Sequence, residues 1–151
     1  MRGLVATNAP HFVAYSAALK TSDQARKSWY TAVFQLPLVD RLMSAQGGRG
    51  FRFAFESSSP PGLFSKEQLD GFVEPLLRPG RAAAAIAYYK AAARYLRTHR
   101  DVVRRIGKTD VPAIIVWGQD DKALSRSHPD GCKRYATNLE VRRLDGVSHW
   151  V

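Results

Sequence analysis

The chain has one cysteine, Cys132, in 151 residues. A lone thiol forms no internal disulfide, which excludes a cross-linked secreted scaffold and points to a reducing, cytoplasmic setting. No apolar run approaches the roughly 20 residues that a membrane helix needs, so no membrane partner is expected. The opening Gly3-Leu4-Val5-Ala6-Thr7 is too short an apolar stretch for a secretory signal. Eleven glycines and eight prolines are too few for a collagen-like or low-complexity chain. No cysteine–histidine spacing suits a metal, and Gly47-Gly48-Arg49-Gly50 lacks the Lys-Ser/Thr pair of a phosphate loop. No metal and no cofactor is therefore expected. Acidic residues are few, 13 against 23 lysines and arginines, for a net charge of +10.

That surplus could serve nucleic acid, an anionic surface or an acidic partner. Its densest stretch holds Arg94, Arg97, Arg100, Arg104, Arg105 and Lys108, with His99 among them. No zinc-finger spacing and no aromatic RNA-binding signature accompanies it, which argues against nucleic acid. A non-catalytic basic binding remnant stands as the alternative from outside the enzymes.

What is present is an ordinary globular composition, 45% hydrophobic and 24% charged, at a length of one domain. Gly3 to Thr7 reads as a short buried strand closed by Asn8-Ala9-Pro10. Helical patterns follow: Tyr30, Val33 and Phe34 on one stripe up to Pro37, then a short helix over Val39 to Ser44. Gly47, Gly48 and Gly50 mark a loop. Ser65 and Gln68 form a capping-box pattern ahead of Leu69, Phe72, Val73 and Leu76. Arg81 to Leu96 is the longest helical stretch, with Ile86, Tyr89 and Ala93 on one stripe. Val111 to Trp117 is the clearest strand, β-branched and apolar without alternation, as in a parallel strand buried on both faces. Leu139 to Leu144 is a more polar strand, nearer a sheet edge, and Ser127 to Tyr135 is a helix between the two. The expected class is α/β, in three parts. Residues 1–12 form a core strand and turn, 13–109 a helical excursion, and 110–151 a strand–helix–strand unit.

Two strands end in chemistry-bearing residues. Val111–Trp117 runs into Gly118-Gln119-Asp120-Asp121, and Leu139–Leu144 runs into Asp145-Gly146-Val147-Ser148-His149. Sites in α/β sheets gather at the carboxyl ends of strands. An acid, Asp120 or Asp121, and His149 on neighbouring parallel strands would form the orienting pair of a nucleophile–His–acid triad. His11 reads as a turn residue, His99 and His128 as exposed, and Cys132 has no activating neighbour in sequence.

Trp117-Gly118-Gln119-Asp120-Asp121 and Gly146-Val147-Ser148-His149-Trp150 together resemble the two C-terminal motifs of the α/β-hydrolase family. The resemblance covers the chain and implies Asp121 as the triad acid and His149 as its base. Residues 13–109 would then be a helical cap inserted between the first strand and the C-terminal strand–helix–strand unit. Ser28-Trp29-Tyr30 through Pro37 and Ala87-Tyr88-Tyr89-Lys90 resemble cap motifs of the epoxide-hydrolase branch. That implies Tyr30 and Tyr89 as donors to the epoxide oxygen, with Tyr88 one residue out of register; both also suit plain packing. The implied partners are a small epoxide or ester and water. A serine esterase or haloalkane dehalogenase of the same fold are the alternatives within enzymes. The family's Gly-x-Ser-x-Gly nucleophile turn, or its Asp counterpart, is not in this sequence. The chain thus resembles the C-terminal portion of such a hydrolase and is expected to be inactive by itself. The Val111–Trp117 strand is expected to have an open edge, which favours self-association.

Overall fold

The computed structural model describes residues 2–99, 101 and 105–151. Arg100 and Arg104 of the basic stretch lie outside the described residues. The elements run β1 (Leu4–Thr7), α1 (Phe12–Ala18), α2 (Ser22–Lys27), α3 (Trp29–Val33), α4 (Val39–Ser58), α5 (Lys66–Leu77), α6 (Arg81–Thr98), β2 (Ala113–Gly118), α7 (His128–Cys132), a 3₁₀ turn (Lys133–Tyr135) and β3 (Leu139–Leu144). They divide into two compact units, residues 1–28 with 99–151, and residues 29–98. The helical unit is thus shorter than the 13–109 span expected from sequence. α1 and α2 belong with the sheet, since Ala14 joins the core of Ile115, Trp117, Leu124 and Cys132.

In the first unit the strands form a parallel sheet of order β1-β2-β3. The β2–α7–β3 segment is the expected crossover unit, because parallel neighbours need a connection long enough to return the chain. β2 buries Ala113, Ile115 and Trp117, while Ile114 and Val116 on the other face are half-buried. Burial is therefore complete on one face of β2 among the described residues, where the apolar run pointed to both. The open edge also falls elsewhere than expected. β2 is paired on both sides, and β1 and β3 are the two terminal strands. Leu4 is 46% exposed and Val5 67%. Successive strand residues face opposite ways, so β1 exposes an apolar side chain on each face as well as its edge, although Ala6 packs against the core.

The second unit packs α4, α5 and α6 around Val39, Phe51, Val73, Ala82 and Ile86. The Ser65–Gln68 capping box is formed reciprocally, so α5 starts where the sequence places it. α4 is two helices, 39–44 and 49–58, joined by non-helical backbone from Ala45 to Gly48. The glycines read as a loop are this tight corner. Gly48 has φ +78°, and a Cβ there would strike the Val73 side chain and lie 3.1 Å from Leu77 Cδ2. A residue without a side chain is what lets 49–58 fold back on α5.

Candidate active site

Three strand ends converge on one carboxylate. Asp121 is 2% exposed and accepts four hydrogen bonds. Its Oδ1 takes the backbone N–H groups of Ala123 (2.7 Å) and Leu124 (2.8 Å). Its Oδ2 takes Asn8 Nδ2 (2.6 Å) and faces His149 Nδ1 (2.8 Å). A buried carboxylate with four donors is fully satisfied, which is the condition for keeping a charge out of water. Asp120 is turned outward to pair with Arg126 at 2.7 Å. The structure therefore brings Asp121, rather than Asp120, to His149.

The pair forms because the turns after β2 and β3 are tied together. Gln119 N donates to Leu144 O and Asp120 N to Val147 O, each at 2.9 Å. Gly146, at φ +72°, makes the bend that returns residues 147–149 toward β2. Gly118 lies so close to the 147–148 backbone that a Cβ on it would overlap Ser148 O and sit 2.6 Å from Val147 O.

The loop after Asp121 is held from α2. Lys27 Nζ donates to Asp121 O (2.6 Å) and Leu124 O (3.1 Å). The fully buried Gln24 donates to Ala123 O (3.0 Å) and accepts from Ser125 N (2.8 Å). Its Oε1 also faces His128 Nε2 at 2.7 Å. His128 is thus buried, 2% exposed, where its polar sequence neighbours had pointed to solvent. It packs against Trp117 and Tyr15. Asn8, Gln24 and Lys27 are the site residues that sequence reasoning missed. Asn8 read as part of a turn, and nothing local links α2 to a loop 94 or more residues away.

Burial pushes the Asp121 carboxyl up, but the hydrogen bond and charge of His149 and the N–H groups of Leu124 and Ala123 outweigh it. The carboxyl is held below its ordinary range. Burial holds the His128 imidazole below its usual value, with Asp121 opposing and Lys27 assisting. Burial raises the Cys132 thiol, which leaves it a poor nucleophile. His11, read as a turn residue, is instead the N-cap of α1, accepting from Val13 N–H through Nδ1, and it stacks on Tyr135.

Both depressed values make stability fall on acidification, in separate windows. For His128 the folded state resists protonation, so its contribution is complete above the unfolded pKa of about 6.5 and declines as pH falls through it. For Asp121 the contribution is complete above the unfolded value of about 3.9 and is lost as pH falls further through the depressed folded value. A melting-temperature profile from pH 8 to pH 2 is expected to show both declines. Asp121→Asn should lower stability at neutral pH, flatten the lower decline and deepen the upper one, because the Asp121 charge opposes the depression of His128. An unchanged lower decline in that variant would contradict the assignment.

In the second unit the Tyr30 and Tyr89 rings meet edge to face, with centroids 6.0 Å apart. Phe34 packs on both. Tyr88 is 71% exposed, so Tyr89 is the member of the pair that shares a cluster with Tyr30. No group of three or more His, Cys, Asp or Glu side chains that could hold a metal occurs among the described residues. No described helix is long and apolar enough to cross a membrane.

No protein-family model matches the chain. It is 27% identical over 150 residues, 98% of its length, to the AB hydrolase superfamily protein YfhM of Bacillus subtilis, of which it covers 51%. It superposes on the Bacillus megaterium epoxide hydrolase in complex with an inhibitor at a TM-score of 0.79 and 23% identity, covering 99% of this chain and 54% of that one. It also superposes on the Cif epoxide hydrolase of Acinetobacter nosocomialis, with a TM-score of 0.79 and 16% identity, covering 99% of this chain and 48% of that one. The chain spans about half the length of these relatives, and the match falls on their C-terminal part. The fold is that of a partial α/β hydrolase.

Proposed function

We propose that this chain supplies the acid–base half of an α/β hydrolase that opens epoxides through a covalent ester. The observation that carries the reading is the buried, four-fold hydrogen-bonded Asp121 facing His149 Nδ1 at 2.8 Å. With its Nδ1–H given to Asp121, the imidazole presents Nε2 as the basic nitrogen. In the reaction, a carboxylate that this sequence does not contain attacks an epoxide carbon. The C–O bond breaks, and the alkoxide takes a proton from Tyr30 or Tyr89 while the other phenol donates a hydrogen bond. His149 then removes a proton from water, and the oxygen adds to the carbonyl carbon of the ester. The diol leaves, the carboxylate is restored, and the proton taken up by His149 is returned through solvent to the tyrosine that gave one up. Water is the co-substrate and no cofactor takes part. A cytoplasmic setting and self-association through the open β1 edge belong to the same proposal.

A serine esterase would use the same Asp121–His149 pair with a different nucleophile, and a haloalkane dehalogenase would use the same carboxylate. The tyrosines separate these readings. Reconstituting the chain with a nucleophile-bearing amino-terminal half of a related epoxide hydrolase is expected to give diol formation. Tyr30→Phe and Tyr89→Phe should each slow it by about 10²-fold, the cost of losing one oxyanion donor. Hydrolysis of an aryl ester by the same mixture should be far less affected. Epoxide turnover indifferent to both substitutions would reject the phenol roles. Ester turnover without diol formation would favour the esterase.

A further inference from the structure

We infer that Asn8 is a positioning residue that aligns Asp121 with His149. The inference rests on the proposed role of that pair. Asn8 follows β1 in a left-handed conformation, φ +38°, and is 5% exposed. Its backbone N–H makes the last ladder bond, to Val116 O at 3.0 Å. In a continued parallel ladder, its carbonyl would next accept from Gly118 N–H. The left-handed turn swings that carbonyl away, and the side-chain Oδ1 takes the Gly118 N–H instead, at 2.7 Å. Its Nδ2 then has two donors to place. One goes to Asp121 Oδ2 at 2.6 Å, and the other to Ser148 O at 3.2 Å. One amide thus binds the end of β1 to the start of the turn after β2, to the acid, and to the residue preceding His149.

The chemistry selects asparagine. The site needs one acceptor facing an N–H and two donors facing a carboxylate and a carbonyl, on a side chain short enough to reach all three. Aspartate has the shape but would set a second carboxylate against Asp121. Glycine keeps the left-handed backbone without strain and removes the amide, so Asn8→Gly isolates the side chain's contribution. Asn8 donates to the same Oδ2 that His149 faces, so it limits where that oxygen can lie. Ala123 and Leu124 hold only the other oxygen.

The test is ¹⁵N NMR of the His149 ring in the full 151-residue chain, which reads the imidazole tautomer without any need for turnover. Wild type is expected to hold the Nδ1–H tautomer, with a through-space signal between the Asn8 side-chain amide protons and the ring Nδ1–H. Asn8→Gly and Asn8→Asp should both shift His149 toward the Nε2–H tautomer and broaden the Nδ1–H signal, at a temperature where the variants remain folded. A merely structural role would lower stability and leave the tautomer unchanged, which would overturn the inference. If neither variant folds, absence of the amide-to-ring signal in wild type would overturn it equally. An inactive reconstituted enzyme with this tautomer response intact would reject the hydrolase reading and leave Asn8 in its role.

Discussion

Purified by itself, the chain is expected to leave an epoxide and an aryl ester essentially unhydrolysed. Asp121 and His149 are aligned, but the 151 residues contain no Gly-x-Ser-x-Gly or Gly-x-Asp-x-Gly turn to deliver a covalent intermediate to them. A positioned base contributes about 10²–10⁴-fold over solution chemistry. That ceiling falls well short of a working enzyme, and losing even one oxyanion donor costs about 10²–10³ more. The assay sets the chain beside His149→Ala with both substrates. Matching near-background rates are expected. Robust turnover that disappears in the variant would mean that a nucleophile is present among these residues. Salt-sensitive binding to DNA with no turnover, even on reconstitution, would instead favour the basic-remnant alternative, since phosphate contacts weaken steeply with salt.

The second large effect is expected from Gly118→Ala. A single methyl group there would overlap Ser148 O and sit 2.6 Å from Val147 O and 3.0 Å from Val147 C. All three are backbone atoms, so no side-chain rotation relieves the clash. The 147–149 segment would have to move off β2, breaking the Asp120 N–Val147 O bond and carrying His149 away from Asp121. A loss of about 3 kcal/mol or more is expected, with the Asp121–His149 hydrogen bond broken even where the chain still folds. Gly131→Ala is the control in the same unit. Its Cβ would meet only Ala14 Cβ at an ordinary 3.5 Å, and the residue lies within α7. Chemical denaturation of the two variants should separate them clearly. Equal stability would show that the 147–149 turn yields more easily than its hydrogen bonds imply.

The two effects differ in how far they could be read in advance. β2 and β3 were legible because a β-branched apolar run closed by Gly118, and a second run between turns, carry their own signals. The start of α5 was legible because its capping box is local. α1 was hidden, because its cap is His11 Nδ1 rather than a Ser, Thr, Asp or Asn side chain. The helix over 49–58 was hidden behind glycines that suit a loop and a sharp corner equally well. α1 and α2 were grouped with the later helices because helical periodicity says which face is apolar and not which core receives it.

For the site, the sequence by itself determined the chemistry available. It supplied an acid and a histidine at the ends of two strands, two tyrosines at helical spacing, and no nucleophile turn. Which acid points inward, which tyrosine joins Tyr30, and what holds Asp121 in place were decided by tertiary structure. Asp120 and Asp121 are adjacent and chemically alike. They differ only in that Arg126 draws one outward, while Asn8, His149 and two backbone N–H groups satisfy the other in a buried position. Asn8 stands 113 positions from Asp121 in the chain. Local propensity acts over a few residues. A hydrogen bond across that separation exists only once parallel pairing of β1, β2 and β3 has brought their carboxyl ends to one edge of the sheet.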